Sequence, residues 1–206
     1  MCGIFFSLSN SEHVVPDPVT EQLLQNRGPD RMGAHKTVLS PTASYPFYAT
    51  FHSTVLSLRG SVVVEQPLQD CPTNSTLCWN GEAWSISGES VQGNDSQAVF
   101  DMLIQAAAPK TDTSRDSSIR SIVQSLSSIR GPFAFVFYDA TNQFLYYGRD
   151  CLGRRSLLRK STSNGSVVLS SVCDNSSGNH WTEVEDRKST RLNSSHSGES
   201  RMPSSA

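Results

Sequence analysis

The pattern of apolar and polar residues along the chain is typical of strands at both ends and of helices in the middle. Short runs rich in β-branched and aromatic residues predict strands. The first run, residues 2–8, would hold Cys2 at the start of a buried strand. The remaining predicted strands cover residues 51–59, 61–64, 77–79, 133–138, 143–147, 157–158 and 167–172. Residues 133–138 and 143–147 flank four mostly polar residues, which indicates a hairpin.

Two segments in the middle of the chain have the 3.6-residue period of amphipathic helices. Residues 96–108 place apolar side chains at positions i, i+3, i+4 and i+7, and Pro109 follows. Residues 119–129 repeat this pattern before Gly131-Pro132. A shorter helix is predicted at 21–24, before a turn at 27–30. Two helices inserted between groups of strands favour an α+β fold of two antiparallel sheets with helices packed on them.

The composition changes after about Val184, where Ser, Arg, Asn, His and Gly replace almost all apolar residues. Such a segment buries too little apolar surface to offset the entropy of ordering it. We therefore expect one domain, residues 2–184, followed by a disordered segment, residues 185–206. The residues from Arg187 to Ala206 have the composition of a tail that is not native to the domain.

Charge and hydropathy disfavour several functional classes. The formal charge of −2 provides no basic surface for a phosphate backbone, so nucleic acid is not an expected partner. Residues 1–15 lack the cationic start and apolar core of a secretory signal. No run approaches the roughly 20 apolar residues of a membrane span. We expect a soluble protein of the cytoplasm.

The cysteines do not have the spacing of a metal site. The five cysteines form no Cys-x-x-Cys pair, and no histidine lies at ligand spacing from any of them. We therefore predict no metal ligands. In a reducing compartment, the cysteines other than Cys2 are expected to be small buried or half-buried thiols rather than disulfides.

Cys2 has special chemistry in prospect because it becomes the first residue when Met1 is removed. A free α-amino group titrates near about 8 and a thiol near about 8.5, so the amine can accept the proton of the thiol at neutral pH. Nucleophile and base would then belong to one residue. The alternative is that a cysteine at the second position has no catalytic meaning.

Further motifs follow Cys2 in a fixed order. They are Met1-Cys2-Gly3-Ile4, Arg27-Gly28-Pro29-Asp30, Gln66-Pro67-Leu68, Asn80-Gly81-Glu82 and Arg149-Asp150-x-x-Gly153. In this order the chain resembles class II glutamine amidotransferases, the N-terminal-nucleophile glutaminase domains of asparagine synthetase and its relatives. The resemblance covers residues 2–184. It implies an N-terminal-nucleophile hydrolase fold, a four-layer sandwich in which two antiparallel sheets pack together and helices lie outside.

Asn80 and Gly81 suit the stabilisation of an oxyanion. Attack on a side-chain amide builds a tetrahedral oxyanion, which requires fixed hydrogen-bond donors. A side-chain amide and a backbone N–H at a strand end can point at one oxygen, and glycine permits close approach of the substrate. The resemblance implies that this pair is the oxyanion hole. An ordinary Asn-Gly turn is the structural alternative.

Binding of free glutamine requires an anion for its ammonium group and a cation for its carboxylate. The resemblance assigns the ammonium group to Asp95, although an acid at this position could also cap the following helix. It adds Glu82 to the substrate-binding residues. Relatives carry an arginine where this chain has Val55. Arg59 lies roughly 13 Å further along an extended strand, so it replaces that arginine only if the backbone departs from a strand.

These residues predict a glutaminase that releases ammonia through a thioester on Cys2. The sequence lacks a Ser-Gly-Gly-x-Asp-Ser pyrophosphate loop and any glycine-rich ATP motif. We therefore expect no cofactor in this chain, with ATP needed only by an absent synthetase domain that would accept the ammonia. Two alternatives stay open: a non-catalytic amidotransferase-like binding or regulatory domain, and a self-processing or acylase-type hydrolase. Arg27 is a further candidate for the carboxylate.

Overall fold

The computed structural model describes residues 1–39, 46–109, 115–162, 165–174, 180–185, 188–191 and 199–201. In chain order, its elements are β1 (Gly3–Ser9), α1 (Pro18–Arg27), β2 (Arg31–Leu39), β3 (Phe47–Val55), β4 (Leu68–Asp70), β5 (Ser75–Gly81), β6 (Ser85–Ile86), β7 (Glu89–Ser90), α2 (Asp95–Ala107), α3 (Arg115–Ser127), β8 (Ile129–Arg130), β9 (Phe133–Asp139), β10 (Phe144–Arg149), β11 (Leu158–Ser161), β12 (Val167–Ser170), β13 (Thr182–Glu183), β14 (Lys188–Arg191) and β15 (Glu199–Arg201).

The strands form two large antiparallel sheets and one small one. The first sheet has the order β13-β11-β12-β1-β3-β2, and the second has the order β15-β14-β10-β9-β5-β4. The small sheet contains β7, β6 and β8. Strand β1 lies between β12 and β3, with Phe5 paired to both Ser170 and His52. The residue before β1, Cys2, is therefore attached to a strand that is fixed on both sides.

Three apolar clusters separate four layers. Between the two sheets, Phe6 and Phe51 of the first sheet belong to one cluster with Val136 of the second. Helices α2 and α3 cover the other face of the second sheet, where Leu103 and Ile122 are fully buried. Helix α1 covers the other face of the first sheet, where its Leu24 forms a buried cluster with Phe5 and Val168 of the sheet. The layers run helix, sheet, sheet, helix, which confirms the predicted sandwich.

The helix boundaries follow from local capping. Asp17 accepts hydrogen bonds from Val19 N and Thr20 N, each at 3.0 Å, and Pro18 occupies the first turn of α1. The helix is longer than the predicted 21–24 because this cap lies outside the apolar pattern. Asn94 caps α2 by accepting Ser96 N at 3.0 Å.

Several predicted elements differ from the structure. Residues 56–67 form a loop, so the predicted strand at 61–64 is wrong and β3 ends at Val55. Strand β2 was not predicted, because it is an edge strand in which exposed and half-buried residues alternate and few are strongly apolar. Helix α3 ends at Ser127, and Ile129 belongs instead to β8. The hairpin of β9 and β10 is confirmed.

The segment after residue 184, for which the sequence predicts disorder, includes the described strands β14 and β15. Strand β14 pairs antiparallel with β10, and β15 pairs with β14. Backbone groups at the edge of a sheet accept a further strand through hydrogen bonds alone, so apolar side chains are not needed for this pairing. Residues 186–187, 192–198 and 202–206 lie outside the described residues.

Candidate active site

The six residues of the predicted catalytic and substrate-binding set line one cleft, which does not include the further candidate Arg27. They are Cys2, Arg59, Asn80, Gly81, Glu82 and Asp95. The cleft opens where β1 begins and β5 ends, so residues far apart in the sequence meet at one end of the sandwich.

The thiol of Cys2 is half-buried against the backbone of the loop after β3. Leu56 N donates to Cys2 Sγ at 3.4 Å, and Sγ lies 3.7 Å from Leu56 O. Gly3 packs so closely beneath it that an added Cβ would stand 2.5 Å from Thr54 Oγ1. The thiol is therefore held in place both by its own contacts and by the strand that carries it.

The end of helix α1 holds the backbone around Cys2. Arg27 Nε donates to Cys2 O at 3.2 Å, and the amino group of Met1 donates to Arg27 O at 3.2 Å. The guanidinium of Arg27 thus helps to fix the position of the Cys2 backbone. This contact explains the arginine of the Arg27-Gly28-Pro29-Asp30 motif without a direct role in substrate binding.

Burial shifts the pKa values of the thiol and the amine in opposite directions. Burial raises the pKa of Cys2, the hydrogen bond from Leu56 lowers it, and Asp95 raises it further. Burial lowers the pKa of the Met1 amino group, and the charges of Arg27 and Arg155 lower it as well. Burial thus makes the thiol a weaker acid and the Met1 amine a weaker base.

Asn80 presents an unpaired donor in the cleft. The residue is 1% exposed, and its Nδ2 is buried with no partner among the described residues. A buried amide without a partner costs free energy, so such a group in a cleft calls for an explanation. A ligand oxygen that accepts from Nδ2 would satisfy it.

Gly81 adds a backbone N–H that points away from β9. Trp79 N donates away from β9 to Gln66 Oε1 at 2.7 Å, whereas Glu82 N donates towards β9, to Pro132 O at 2.9 Å. The alternation of an antiparallel strand then directs Gly81 N–H away from β9 as well. Asn80 and Gly81 are the last residues of β5, so the alternative of an Asn-Gly hairpin turn is wrong.

Asp95 is not the cap of helix α2, because Asn94 fills that role. Its carboxylate is 5% exposed, and Oδ2 accepts from Trp79 Nε1 at 3.0 Å and from Ala83 N at 2.8 Å. Oδ1 has no hydrogen-bond partner among the described residues. The carboxylate therefore keeps one oxygen for a cation in the cleft.

Arg59 reaches the cleft because residues 56–67 leave the strand. Its two terminal nitrogens donate to Ala83 O at 2.7 Å and to Val91 O at 2.5 Å. The guanidinium thus ties the loop after β3 to the segment after β5. Glu82 lies nearby with Oε2 accepting from Trp84 Nε1 at 3.1 Å.

Sequence reasoning missed Arg155, which also lines the cleft. The buried carboxylate of Asp150 accepts Phe133 N, Leu152 N and Arg154 N, each at 3.1 Å, and so shapes the turn that leads to Arg155. Asp150 belongs to the Arg149-Asp150-x-x-Gly153 motif. The motif indicates the turn, but it does not indicate that the turn places Arg155 in the cleft.

Two further observations concern cofactors and membranes. Among the described residues, no group of three His, Cys, Asp or Glu side chains is arranged to hold a metal ion. Within the same residues, no helix is long and apolar enough to cross a membrane.

Comparison with solved structures places this architecture in a known class. A glutamine phosphoribosylpyrophosphate amidotransferase from B. subtilis, complexed with ADP and GMP, aligns over 96% of this chain and 49% of its own with a TM-score of 0.56 and 15% identity. A structure described as the allosteric regulatory enzyme of purine biosynthesis gives a TM-score of 0.60 at 16% identity over 96% and 48%. These likenesses show the fold that the sequence predicts, the sandwich of an N-terminal-nucleophile hydrolase.

Comparison with curated proteins gives a more specific relative. The chain is similar to human asparagine synthetase domain-containing protein 1, with 36% identity over 190 residues, and to its Bos taurus counterpart, with 38% over 191. Each match covers 89% of this chain, but the chain spans only 27% of the length of either relative. No protein-family model matches the chain.

Proposed function

We propose that the chain hydrolyses the side-chain amide of free glutamine to glutamate and ammonia. The observation that carries the proposal is the unpaired amide of Asn80, which lines the same cleft as the Cys2 thiol. Removal of Met1, whose side chain is 46% exposed, would give Cys2 the free α-amino group that the reaction needs. An amide nitrogen in a peptide bond cannot act as the base.

The proposed reaction has two halves. Cys2 Sγ attacks the amide carbon while its proton passes to the α-amine, and the resulting oxyanion accepts from Asn80 Nδ2 and Gly81 N. The tetrahedral intermediate collapses to a γ-glutamyl thioester, and the leaving ammonia takes the proton from the ammonium group. Water, deprotonated by the same amine, then attacks the thioester. Glutamate leaves and the thiol regains its proton.

Asp95 fits the ammonium group of the substrate. Its Oδ2 is fixed by Trp79 and Ala83, while Oδ1 is available in the cleft. A buried carboxylate that is held by two donors is preorganised for a cation. Glu82 lines the same wall and supplies a second negative charge.

Thiol-based amide hydrolysis needs a nucleophile, a base and oxyanion donors, so we propose that it proceeds without a cofactor. Human asparagine synthetase domain-containing protein 1 carries the name of an amide-forming enzyme. We propose that the ammonia is used for asparagine formation by an ATP-dependent domain outside this chain. The proposed location is the cytoplasm, and no nucleic acid takes part.

A second candidate is a non-catalytic amidotransferase-like domain that binds or senses an amino acid. Two points favour it: the resemblance implies an arginine at the position of Val55, and burial raises the pKa of Cys2. Such a domain would bind glutamine without turning it over.

The deciding experiment uses the chain after Met1 removal, verified by intact mass. Glutamate and ammonia are measured with glutamine as substrate, in parallel with Cys2→Ala and with a chain that carries one uncleaved residue before Cys2. We expect turnover only in the parent chain. Equal turnover by Cys2→Ala refutes the mechanism. Glutamine binding without turnover in the parent chain favours the second candidate.

A further inference from the structure

A glutamine molecule in this cleft brings a carboxylate as well as an ammonium group. Burying the carboxylate without a cation costs several kcal/mol, so the site must provide one. Val55 offers no charge. Three arginines lie at or beside the cleft, namely Arg27, Arg59 and Arg155.

Two of these arginines are already committed to the protein backbone. Arg27 donates through Nε to Cys2 O and so holds the nucleophile, its Nη2 lies 4.0 Å from Met1 Sδ, and the residue is not among those that line the cleft. Arg59 donates through both terminal nitrogens to carbonyl oxygens of Ala83 and Val91. To bind a substrate carboxylate in a bidentate manner, Arg59 would have to give up these contacts and release the loop that they fix.

Arg155 differs from both because the described residues give it no oxygen acceptor. Its Nε is buried with no hydrogen-bond partner. The contact of its terminal Nη1 is Met1 Sδ at 2.8 Å, and a thioether is a weak acceptor that carries no charge. The five donors of a guanidinium have the geometry of a fork that fits a carboxylate.

The position of Arg155 also suits the trimmed chain. Its charge acts on the Cys2 thiol, so it lies within electrostatic reach of the nucleophile. Loss of Met1 would remove the sulfur that contacts Nη1 and open the guanidinium to the cleft. The following residues are fixed, since Ser156 Oγ donates to Ser171 O at 2.7 Å and Leu157 is fully buried.

We propose that Arg155 binds the α-carboxylate of glutamine and thereby takes the role that no side chain at position 55 can fill. This inference rests on the proposed function for the identity of the ligand. Asp95 and Arg155 would then hold the two charges of the amino acid, while Asn80 and Gly81 hold the amide oxygen. Arg155 is in this way a specificity residue for α-amino acid amides over simple amides.

The first test measures binding without chemistry. L-glutamine is titrated calorimetrically into the trimmed chain carrying Cys2→Ala, alone and with Arg155→Gln, Arg155→Lys or Arg120→Gln. Arg120 is an exposed arginine of α3 and serves as the matched control. We expect Arg155→Gln to weaken binding about 100-fold, as loss of one partner of a buried charge pair does. The affinity of Arg155→Lys should lie between those of the parent and of Arg155→Gln, because lysine keeps the positive charge but lacks the forked donor geometry of a guanidinium.

The second test separates carboxylate binding from a structural role. In the chain with Cys2 intact, kcat/KM is compared for L-glutamine and for 4-aminobutanamide, which lacks the α-carboxylate. Arg155→Gln should lower kcat/KM for glutamine about 100-fold and that for 4-aminobutanamide far less, since only the effect of the Arg155 charge on the Cys2 thiol is common to both substrates. An equal fall in kcat/KM for both substrates overturns the proposal. Unchanged glutamine affinity and turnover in Arg155→Gln also overturn it, and so does the absence of any glutamine binding by the parent chain. Arg155-dependent binding without turnover would refute the proposed hydrolysis and uphold the role of Arg155.

Discussion

The carboxylate of Asp95 accepts the indole N–H of Trp79 at 3.0 Å, and this bond joins the start of helix α2 to the strand that ends in Asn80 and Gly81. Trp79 is 1% exposed and stacks on Phe133 with ring centroids 5.1 Å apart. The proposed ammonium-binding acid and the proposed oxyanion donors are therefore positioned by one rigid aromatic side chain.

Asp95→Asn should raise KM for glutamine about 100-fold, because it removes the charge that pairs with the buried ammonium group. The amide can still accept from Trp79 and Ala83, so we expect a melting temperature close to that of the parent. Trp79→Phe should raise KM less, about 10-fold, since it loosens the carboxylate without removing it. Steady-state kinetics and thermal unfolding check both variants. An unchanged KM in Asp95→Asn would leave Asp95 with a purely structural role.

Asn80→Ala tests the oxyanion hole. Loss of one such donor typically lowers kcat by about 100- to 1,000-fold, while KM changes little because the bond forms chiefly in the transition state. The side-chain amide has no partner among the described residues, so its removal should not destabilise the fold. Asn142→Ala is the matched control, because that amide donates to Ala107 O far from the cleft. A similar kcat in Asn80→Ala and the parent would contradict the assignment.

Arg59→Ala should act through the loop rather than through the carboxylate. It removes the bonds to Ala83 O and Val91 O, which leaves two carbonyls without these donors. We expect the free energy of unfolding to fall by about 2 kcal/mol, within the range for charged hydrogen bonds. Chemical denaturation measures this change. If Arg59→Ala instead kept the stability of the parent and raised KM about 100-fold, Arg59 would be the residue that binds the carboxylate, which would contradict the assignment to Arg155.

The sequence predicts the central part of this architecture and less of its periphery. The hairpin of β9 and β10 was predictable because its strands are strongly apolar and buried on both faces. Strand β2 was not, since its polar side chains face solvent and only its pairing with β3 makes it a strand. Pairing partners depend on contacts distant in the sequence, which periodicity does not record.

The same limit applies to the site. Cys2, Asn80, Gly81 and Asp95 are recognisable from local motifs, and the structure brings them to one cleft. The commitment of Arg59 to two carbonyls could not be inferred, because it depends on a loop whose path no local pattern specifies. Arg155 was overlooked for the related reason that its relevance comes only from its contacts.

The cysteines should differ sharply in reactivity towards iodoacetamide. Cys78 is fully buried, and burial raises its pKa to about 12, so it should stay unmodified until the chain unfolds. Cys71 and Cys151 are exposed and should react. Because burial also raises the pKa of Cys2, its thiolate fraction in the chain that retains Met1 should grow about tenfold per pH unit from 7 to 9. Mass spectrometry of peptides gives each rate. A plateau for Cys2 below pH 8.5 would contradict the raised pKa.

Removal of residues 186–206 should cost little stability despite the strands that the structure describes there. Strands β15 and β14 are the last two strands on one side of the second sheet, where water can replace the hydrogen bonds of β14 to β10, so we expect a loss of about 1 kcal/mol or less. The boundary residue Val184 is different. Its side chain is 2% exposed, and its N–H donates to Leu157 O at 2.9 Å. Val184→Ala should lower the free energy of unfolding by about 2 kcal/mol, as expected for a truncated core side chain.

Chemical denaturation of the two variants side by side locates the end of the folded unit. The truncated chain should unfold at nearly the same denaturant concentration as the parent, because it keeps the apolar cluster between the sheets. Val184→Ala should unfold at a clearly lower concentration, because it opens that cluster. If truncation proved the more damaging change, the pairing of β14 with β10 would be an integral part of the domain. Glutamine turnover should survive truncation, since no described residue beyond 184 lines the cleft.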